Sequence, residues 1–271
     1  MRRLGSSPFA FPGFSGATRQ LVLVNLCAFF LLLLFGLVSP DSANSFAALL
    51  AYQPGAFLHG LIWQPLTYSL VHTGITNTLF EMLSLWFLAG FLESYHNANW
   101  IRSLYIVSVL GTVAAALVIY LVSGTLHFSL AAIPIYGCFG GIFGLLTAIG
   151  VLYGDTEFLL MFIIGIKARY LAIIYGLVAI AMLFGPQKQY AFAQLGGAAA
   201  GLIFVRRAPR RGLGFALSEW WFGLRNNYYR RKRRKAAKKF EVYMKQHGRT
   251  VHFDGQGRVI HDEHDDPKRW N

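Results

Sequence analysis

Residues 136–146 read YGCFGGIFGLL and lie in the apolar run 131–153. The glycines of this stretch are spaced so that one stripe of an α-helix carries all of them. A glycine stripe lets a neighbouring membrane helix approach closely, because no side chain separates the two backbones. The stretch therefore predicts a membrane helix that packs tightly on a partner through Gly137, Gly140, Gly141 and Gly144.

A matching surface occurs in residues 193–201, AQLGGAAAG. Gly197 and Gly201 are four residues apart, which is the small-xxx-small spacing of closely packed membrane helices. Gln194 lies one turn before Gly197. We expect this second glycine face to pack on the first one.

The composition decides the class of protein. Of the 271 residues, 55% are hydrophobic and 14% are charged, whereas soluble domains carry about 25% charged residues. The mean hydropathy is +0.45. These values exclude a soluble globular protein and a disordered chain, and they predict an all-α, polytopic membrane protein.

A membrane-crossing helix needs about 20 apolar residues, and six runs meet or approach that length: residues 21–38, 66–92, 101–122, 131–153, 170–184 and 190–205.

Two apolar segments allow other interpretations. Residues 21–38 follow Arg2 and Arg3, as in a signal peptide. The run exceeds the roughly 7–15 apolar residues of such a peptide and no small-residue cleavage site follows, so we expect a permanent helix. Residues 157–167, EFLLMFIIGIK, hold only about 10 apolar residues between charges, which predicts an interfacial or re-entrant segment.

Positive charge is concentrated at the C-terminal end. The net charge is +13, and residues 206–271 hold 18 of the 25 Lys and Arg but 7 of the 12 Asp and Glu. Because cytoplasmic loops are enriched in Lys and Arg, we expect both termini in the cytoplasm and a multi-pass protein of the cell (inner) membrane. The regions are a cytoplasmic N-terminus (1–19), a six-span membrane domain (20–205) and a basic cytoplasmic tail (206–271), the last an amphipathic helix followed by a small hairpin.

The second apolar run carries the polar residues that cost most inside a membrane. His72, Asn77 and Glu81 lie in residues 70–83, LVHTGITNTLFEML. Asn77 and Glu81 are four residues apart and share one helix face, whereas His72 is rotated partly away near the outer end. An ionisable residue in a span indicates function, and the alternative is a hydrogen bond that joins helices. We expect Glu81 to be protonated or hydrogen-bonded to a neighbouring helix.

These motifs resemble the rhomboid family of intramembrane serine proteases. The resemblance rests on the segment WQPLTYSLVH (63–72), the spacing of His72, Asn77 and Glu81 with Glu93 at the end of the run, and the two glycine motifs, all in the family's order. It covers the six runs and implies a six-helix, rhomboid-like bundle.

The departures from the family pattern affect its catalytic residues. The family's nucleophilic serine corresponds to Phe139 and its general-base histidine to Gln194, and neither side chain can replace the original. The family's oxyanion donors correspond to Asn77 and Glu81, and an ionised Glu81 would repel an oxyanion. His72 matches the family's outer histidine.

The resemblance therefore implies a pseudoprotease that binds transmembrane clients or membrane-protein partners without cutting them. Two alternatives remain: an active intramembrane serine peptidase with unorthodox residues, and a membrane-anchored scaffold that acts through its basic tail. Cys138 is a poor substitute nucleophile, because one step along a helix turns a side chain by about 100°. His72, Glu81 and His59 match no ligand spacing, so we expect no metal site and no cofactor, and lean against an enzyme.

The tail combines aromatic residues with a run of cations. One interpretation is a solvated stop-transfer cluster, and the other is a helix on the inner leaflet with its cations against anionic lipid, each worth about 1 kcal/mol. Nucleic acid is the weaker rival, because such a patch attracts RNA without specificity. The expected lipid-binding residues are Trp220, Trp221, Arg230, Arg231, Lys232, Arg233, Arg234, Lys235, Lys238 and Lys239.

Overall fold

The helices of the protein are seen in a computed structural model, which describes residues 12–125, 133–160, 164–207, 213–247, 252–253 and 259–260. The chain divides into two compact units, Met1–Leu213 and Gly214–Asn271. The first unit contains helices α1 (Gly16–Val38), α2 (Pro40–Leu50), α3 (Pro54–Leu58), α4 (Gln64–Thr67), α5 (Ile75–Glu93), α6 (Ala98–Thr125), α7 (Phe139–Leu152), α8 (Ala168–Met182) and α9 (Lys188–Arg207), with a short 3-10 helix at Tyr68–Leu70.

Three of these helices, α1, α5 and α6, are long and apolar enough to cross a membrane. Helices α7 and α8 are apolar but contain only 14 and 15 residues. Helix α9 has 20 residues, but it is less hydrophobic than α1, α5 and α6 and is not among the helices apolar enough to cross a membrane. Among the described residues, three of the six predicted spans therefore satisfy both length and hydropathy.

Two glycines explain why the second and fourth predicted spans are shorter as helices. Gly74 has a φ of +80° and Gly137 a φ of +88°, a left-handed region that glycine adopts without steric cost. A right-handed helix cannot continue through such a residue. Residues 71–74 are consequently non-helical, and α7 begins at Phe139. Gly137 was predicted to lie on the helical glycine stripe, and it lies outside the helix.

The segment predicted to be interfacial or re-entrant contains a β-hairpin. Strands β1 (Glu157–Leu160) and β2 (Ile164–Lys167) pair antiparallel, with Glu157 opposite Lys167. Pairing satisfies the backbone groups on the facing edges of the two strands, in a segment too short to cross a membrane as a helix.

Helices α7 and α9 meet through their glycines. A Cβ atom added to Gly197 would lie 2.6 Å from the carbonyl oxygen of Gly140, and one added to Gly201 would lie 2.7 Å from the Cα of Gly144. These distances are too short for any side chain, so the two backbones are in direct contact. The other face of the α7 glycines contacts α6, where Gly141 lies against Tyr105.

Helices α6 and α9 form a second glycine contact. A Cβ at Gly111 would lie 2.8 Å from the carbonyl oxygen of Gly196, and a Cβ at Gly196 would lie 2.7 Å from that of Gly111. Helix α6 thus packs against both α7 and α9, and the buried core of the unit extends from these helices to α5 and the start of α1.

The start of α1 is held by the end of α5. The carboxylate of Glu93 accepts hydrogen bonds from the backbone N–H of Ala17 at 2.7 Å and of Thr18 at 3.0 Å. The first N–H groups of a helix have no partner within the helix, and a negative charge there is favourable. Glu93 therefore fixes α1 beside α5.

The second unit contains helix α10 (Leu213–Gln246) and the antiparallel strands β3 (His252–Phe253) and β4 (Val259–Ile260). Most aromatic residues of α10 precede the cations at 230–239, and Phe240 and Tyr243 follow them. Six consecutive cations at 100° per residue point in every direction around the axis. The cations therefore surround the axis of α10 instead of lining one face of it.

Candidate functional site

A buried polar cluster lies where two non-helical segments meet. His72 is in the segment between the 3-10 helix and α5, Glu81 is in α5, and Cys138 directly precedes α7. Their exposed fractions are 6%, 5% and 0%, and that of Asn25 in α1 is 1%. Buried polar side chains are costly unless they pair with one another, so the contacts within this cluster determine what it can do.

The turn at Gly137 brings Cys138 to Glu81. The backbone N–H of Gly137 donates to the carbonyl oxygen of Tyr68 at 3.1 Å. A Cβ at Gly137 would lie 3.0 Å from one carboxylate oxygen of Glu81. Both the positive φ and this close approach therefore favour glycine at position 137.

Glu81 is the centre of the cluster. Its Oε2 accepts a hydrogen bond from the backbone N–H of Cys138 at 3.0 Å and one from the Cys138 thiol at 3.3 Å. The same oxygen lies 2.8 Å from Nδ1 of His72. Glu81 was expected to be protonated or hydrogen-bonded to a neighbouring helix, and the structure shows a hydrogen bond to Cys138, the residue directly before α7.

His72 is oriented by Asn25. The side-chain N–H of Asn25 donates to the carbonyl oxygen of Leu21 at 2.7 Å. This bond turns the amide oxygen of Asn25 toward His72, whose Nε2 lies 3.0 Å away. Nε2 therefore carries a hydrogen and donates it. Nδ1 of His72 is buried and makes no hydrogen bond, because its 2.8 Å approach to Glu81 lacks hydrogen-bond geometry.

The structure brings together only some of the predicted site residues. Asn77, predicted to share a face with Glu81, is exposed in the first turn of α5 while Glu81 is buried. Phe139 is the first residue of α7 and packs partly buried against the core. Gln194 is buried in α9. Neither Phe139 nor Gln194 contributes a nucleophile or a proton-transferring group.

Two members of the cluster were missed by the sequence analysis. Asn25 is a single amide in a strongly apolar run, and that isolation is the signal that could have identified it. Cys138 was considered as a substitute nucleophile, and in the structure its thiol is a donor to Glu81.

Chemically, the cluster presents an imidazole nitrogen, a carboxylate and a thiol within 4.8 Å of one another. The thiol of Cys138 donates to the carboxylate of Glu81 and not to the imidazole of His72, since Oε2 of Glu81 contacts both groups. The described contacts suit proton sharing or ion binding better than acyl transfer.

Comparison with known proteins identifies a family. A model of the family described as eukaryotic integral membrane protein (DUF1751) matches residues 22–210, which includes every residue of the buried cluster. No curated protein matches the chain.

Proposed function

The chain belongs to that family of eukaryotic integral membrane proteins, and from this premise we propose that it is a rhomboid-like protein that binds transmembrane segments without cutting them. The clients are transmembrane segments of other proteins or whole membrane-protein partners. The proposal rests on the residues at the two positions that correspond to the catalytic serine and histidine of the rhomboid family.

Phe139 at the nucleophile position and Gln194 at the base position are the observation that supports the loss of peptidase chemistry. Phenylalanine has no nucleophilic atom, and a glutamine amide does not accept and return a proton near neutral pH. A serine protease that loses either group retains only the small contribution of binding and oxyanion stabilisation.

The neighbouring thiol offers little replacement. Cys138 is fully buried, and its sulfur donates to Glu81 at 3.3 Å. A thiol becomes a nucleophile when a nearby positive charge favours the thiolate, whereas a carboxylate beside it opposes ionisation. This environment argues against cysteine peptidase activity.

The proposed topology has six spans, with α7, α8 and α9 crossing in addition to α1, α5 and α6. Direct backbone contact of α7 and α9 through glycines supports it, because such contact is typical of membrane-helix pairs. Lys and Arg at residues 2, 3, 19 and 206–239 support cytoplasmic termini. The cell membrane is the proposed location.

Client binding is tested by photo-crosslinking within the membrane. A photoreactive residue at Phe139, which is partly buried beside the cluster, should capture intact transmembrane segments of other proteins. The matched control is Leu37 in α1, which is 76% exposed and should crosslink mainly to lipid. Equal protein capture from both positions, or capture of cleaved fragments, would contradict the proposal.

The tail supports a second binding function, directed at anionic lipid. Trp221, Phe222, Tyr228 and Tyr229 are more than half exposed on α10, and the cations at 231–235, 238 and 239 are exposed as well. Aromatic rings favour the headgroup region and cations favour anionic lipid. Nucleic acid is the less favoured partner.

A further inference from the structure

We propose that His72, Glu81 and Cys138 form a metal-binding site, and that the ion they fit best is Zn²⁺. The three donor atoms lie within 4.8 Å of one another, and all three residues are buried. The site is independent of the proposed client binding and replaces the sequence expectation that the chain binds no metal.

The imidazole is prepared for metal binding by Asn25. Because Nε2 of His72 donates to the amide oxygen of Asn25 at 3.0 Å, the neutral ring carries its hydrogen on Nε2 and a lone pair on Nδ1. Metal-bound histidines have this arrangement, in which a neighbouring acceptor on the distal N–H fixes the tautomer and the ring orientation.

The contact of His72 with Glu81 is the observation that points to a cation. Nδ1 lies 2.8 Å from Oε2 of Glu81 and makes no hydrogen bond. Nδ1 and a carboxylate oxygen at this distance need a positive charge close to both, which is either a proton on Nδ1 or a metal cation. The Cys138 sulfur, 3.3 Å from the same oxygen, is placed to contact the same cation.

Charge balance favours a divalent ion. Zn²⁺ bound by one carboxylate, one thiolate and one neutral imidazole forms a group of zero net charge. Burying a neutral group in apolar surroundings costs far less than burying a separate ion. The thiol proton is released to solvent when the ion binds, as in other thiolate sites.

The donor set selects the metal. Ca²⁺ and Mg²⁺ prefer oxygen ligands, whereas imidazole and thiolate donors together are typical of Zn²⁺. Tetrahedral zinc requires an N···O separation of about 3.3 Å and an S···O separation of about 3.6 Å, against 2.8 Å and 3.3 Å here. These two pairs of donors need to separate by about half an ångström or less, and the third pair, the nitrogen of His72 and the sulfur of Cys138, lies within 4.8 Å. Three protein ligands leave a fourth position for water or another donor.

The test uses the full chain purified in detergent. After dialysis against Zn²⁺ and removal of free ion, elemental analysis should find about one zinc per chain. Replacement of zinc by Co²⁺ should give a thiolate-to-cobalt absorption band. Cys138→Ser and His72→Gln should lose the zinc and the band, whereas Cys27→Ser, which changes the exposed cysteine of α1, should keep both.

Asn25→Ala provides a variant that keeps all three ligands. It removes the acceptor that orients His72 and should weaken zinc binding about 10–100-fold, the usual effect of removing such a partner. Circular dichroism and gel filtration establish that each variant is folded. A wild-type chain that binds no zinc, a cobalt complex without the thiolate band, or unchanged zinc binding in Cys138→Ser would each overturn the proposal. In that outcome a protonated His72 paired with Glu81 accounts for the contact.

Discussion

Gly137 controls the buried cluster at the scale of single residues. Its positive φ turns the chain so that the next residue, Cys138, meets Glu81. The sequence places Gly137 in a glycine-rich stretch but contains no record of its φ, because a glycine in a helix and a glycine in a left-handed turn are the same letter. The error in the predicted start of α7 follows from this ambiguity.

The first prediction compares two glycines with similar φ. Gly137→Ala should destabilise the protein more than Gly74→Ala. Both substitutions force alanine to a positive φ, at about 1–3 kcal/mol, and Gly74, with φ +80° and ψ 136°, lies in a region nearly confined to glycine. Only Gly137 has a neighbour in the way, since its Cβ would lie 3.0 Å from the Glu81 carboxylate, while nothing lies within 4 Å of a Cβ at Gly74. Thermal unfolding in detergent measures the difference, and equal losses would show that the close approach to Glu81 carries no cost.

A second residue-scale prediction concerns His96, in the loop between α5 and α6. Its ring stacks on Trp100 with centroids 3.9 Å apart, and burial lowers its pKa below 6.5. The unfolded chain therefore binds a proton on His96 more readily than the folded chain does. The stabilisation that neutral His96 contributes is fully present above pH 6.5 and is lost as the pH falls below that value. His96→Phe should reduce the loss of stability between pH 7 and pH 5, as followed by thermal unfolding. The idea is wrong if wild type and variant lose stability equally.

At the scale of elements, the apolar runs predicted α1, α5 and α6, because hydrophobic length alone identifies such helices. The meeting of α7 and α9 through Gly140, Gly144, Gly197 and Gly201 was suggested by spacing, since small residues at intervals of four mark one helix face. The part played by Gly111 and Gly196 was not anticipated. The cluster itself could not be predicted, because residues 57 positions apart are brought together by packing that no local pattern encodes.

The third prediction tests the contact of α7 and α9 with two Gly→Ala substitutions that should change the stability of the fold in different directions. Gly176→Ala in α8 adds a methyl group where nothing lies within 4 Å, so it should be neutral or stabilise by up to about 1 kcal/mol through helix propensity. Gly197→Ala places a Cβ 2.6 Å from a backbone oxygen of α7 and should destabilise the fold despite the same gain. Unfolding in detergent measures both, and stabilisation by Gly197→Ala would disprove the close contact.

The fourth prediction concerns the tail helix. A peptide of residues 212–247 should float with anionic vesicles and much less with neutral ones, because each engaged cation contributes about 1 kcal/mol. High salt should release much of the binding, since the Debye length is only about 8 Å at physiological ionic strength. A control peptide with glutamine at residues 230–235 keeps the aromatics and four cations, and should lose most of the dependence on lipid charge. Binding indifferent to lipid charge, or full competition by RNA at physiological salt, would contradict lipid recognition.

At the scale of the whole molecule, the family match establishes an integral membrane protein, and the proposed function adds a rhomboid-like bundle without a protease dyad. Charge and hydropathy were sufficient to predict the class of protein. The loss of nucleophile and base at positions 139 and 194 is predicted from the resemblance to rhomboid proteases and stays a prediction. The environment of Cys138, the cysteine next to position 139, required the structure. Its hydrogen bond to Glu81 does not follow from any pattern in the sequence.

The most direct test of the central claim is a cleavage measurement in liposomes. The native chain is reconstituted with a single-span reporter that an active rhomboid protease cuts under the same conditions. The account predicts an uncut reporter, and it predicts that Phe139→Ser alone stays inactive because Gln194 supplies no base. Cleavage by the native chain that disappears in Cys138→Ala would contradict the account and show that Cys138 is a working nucleophile.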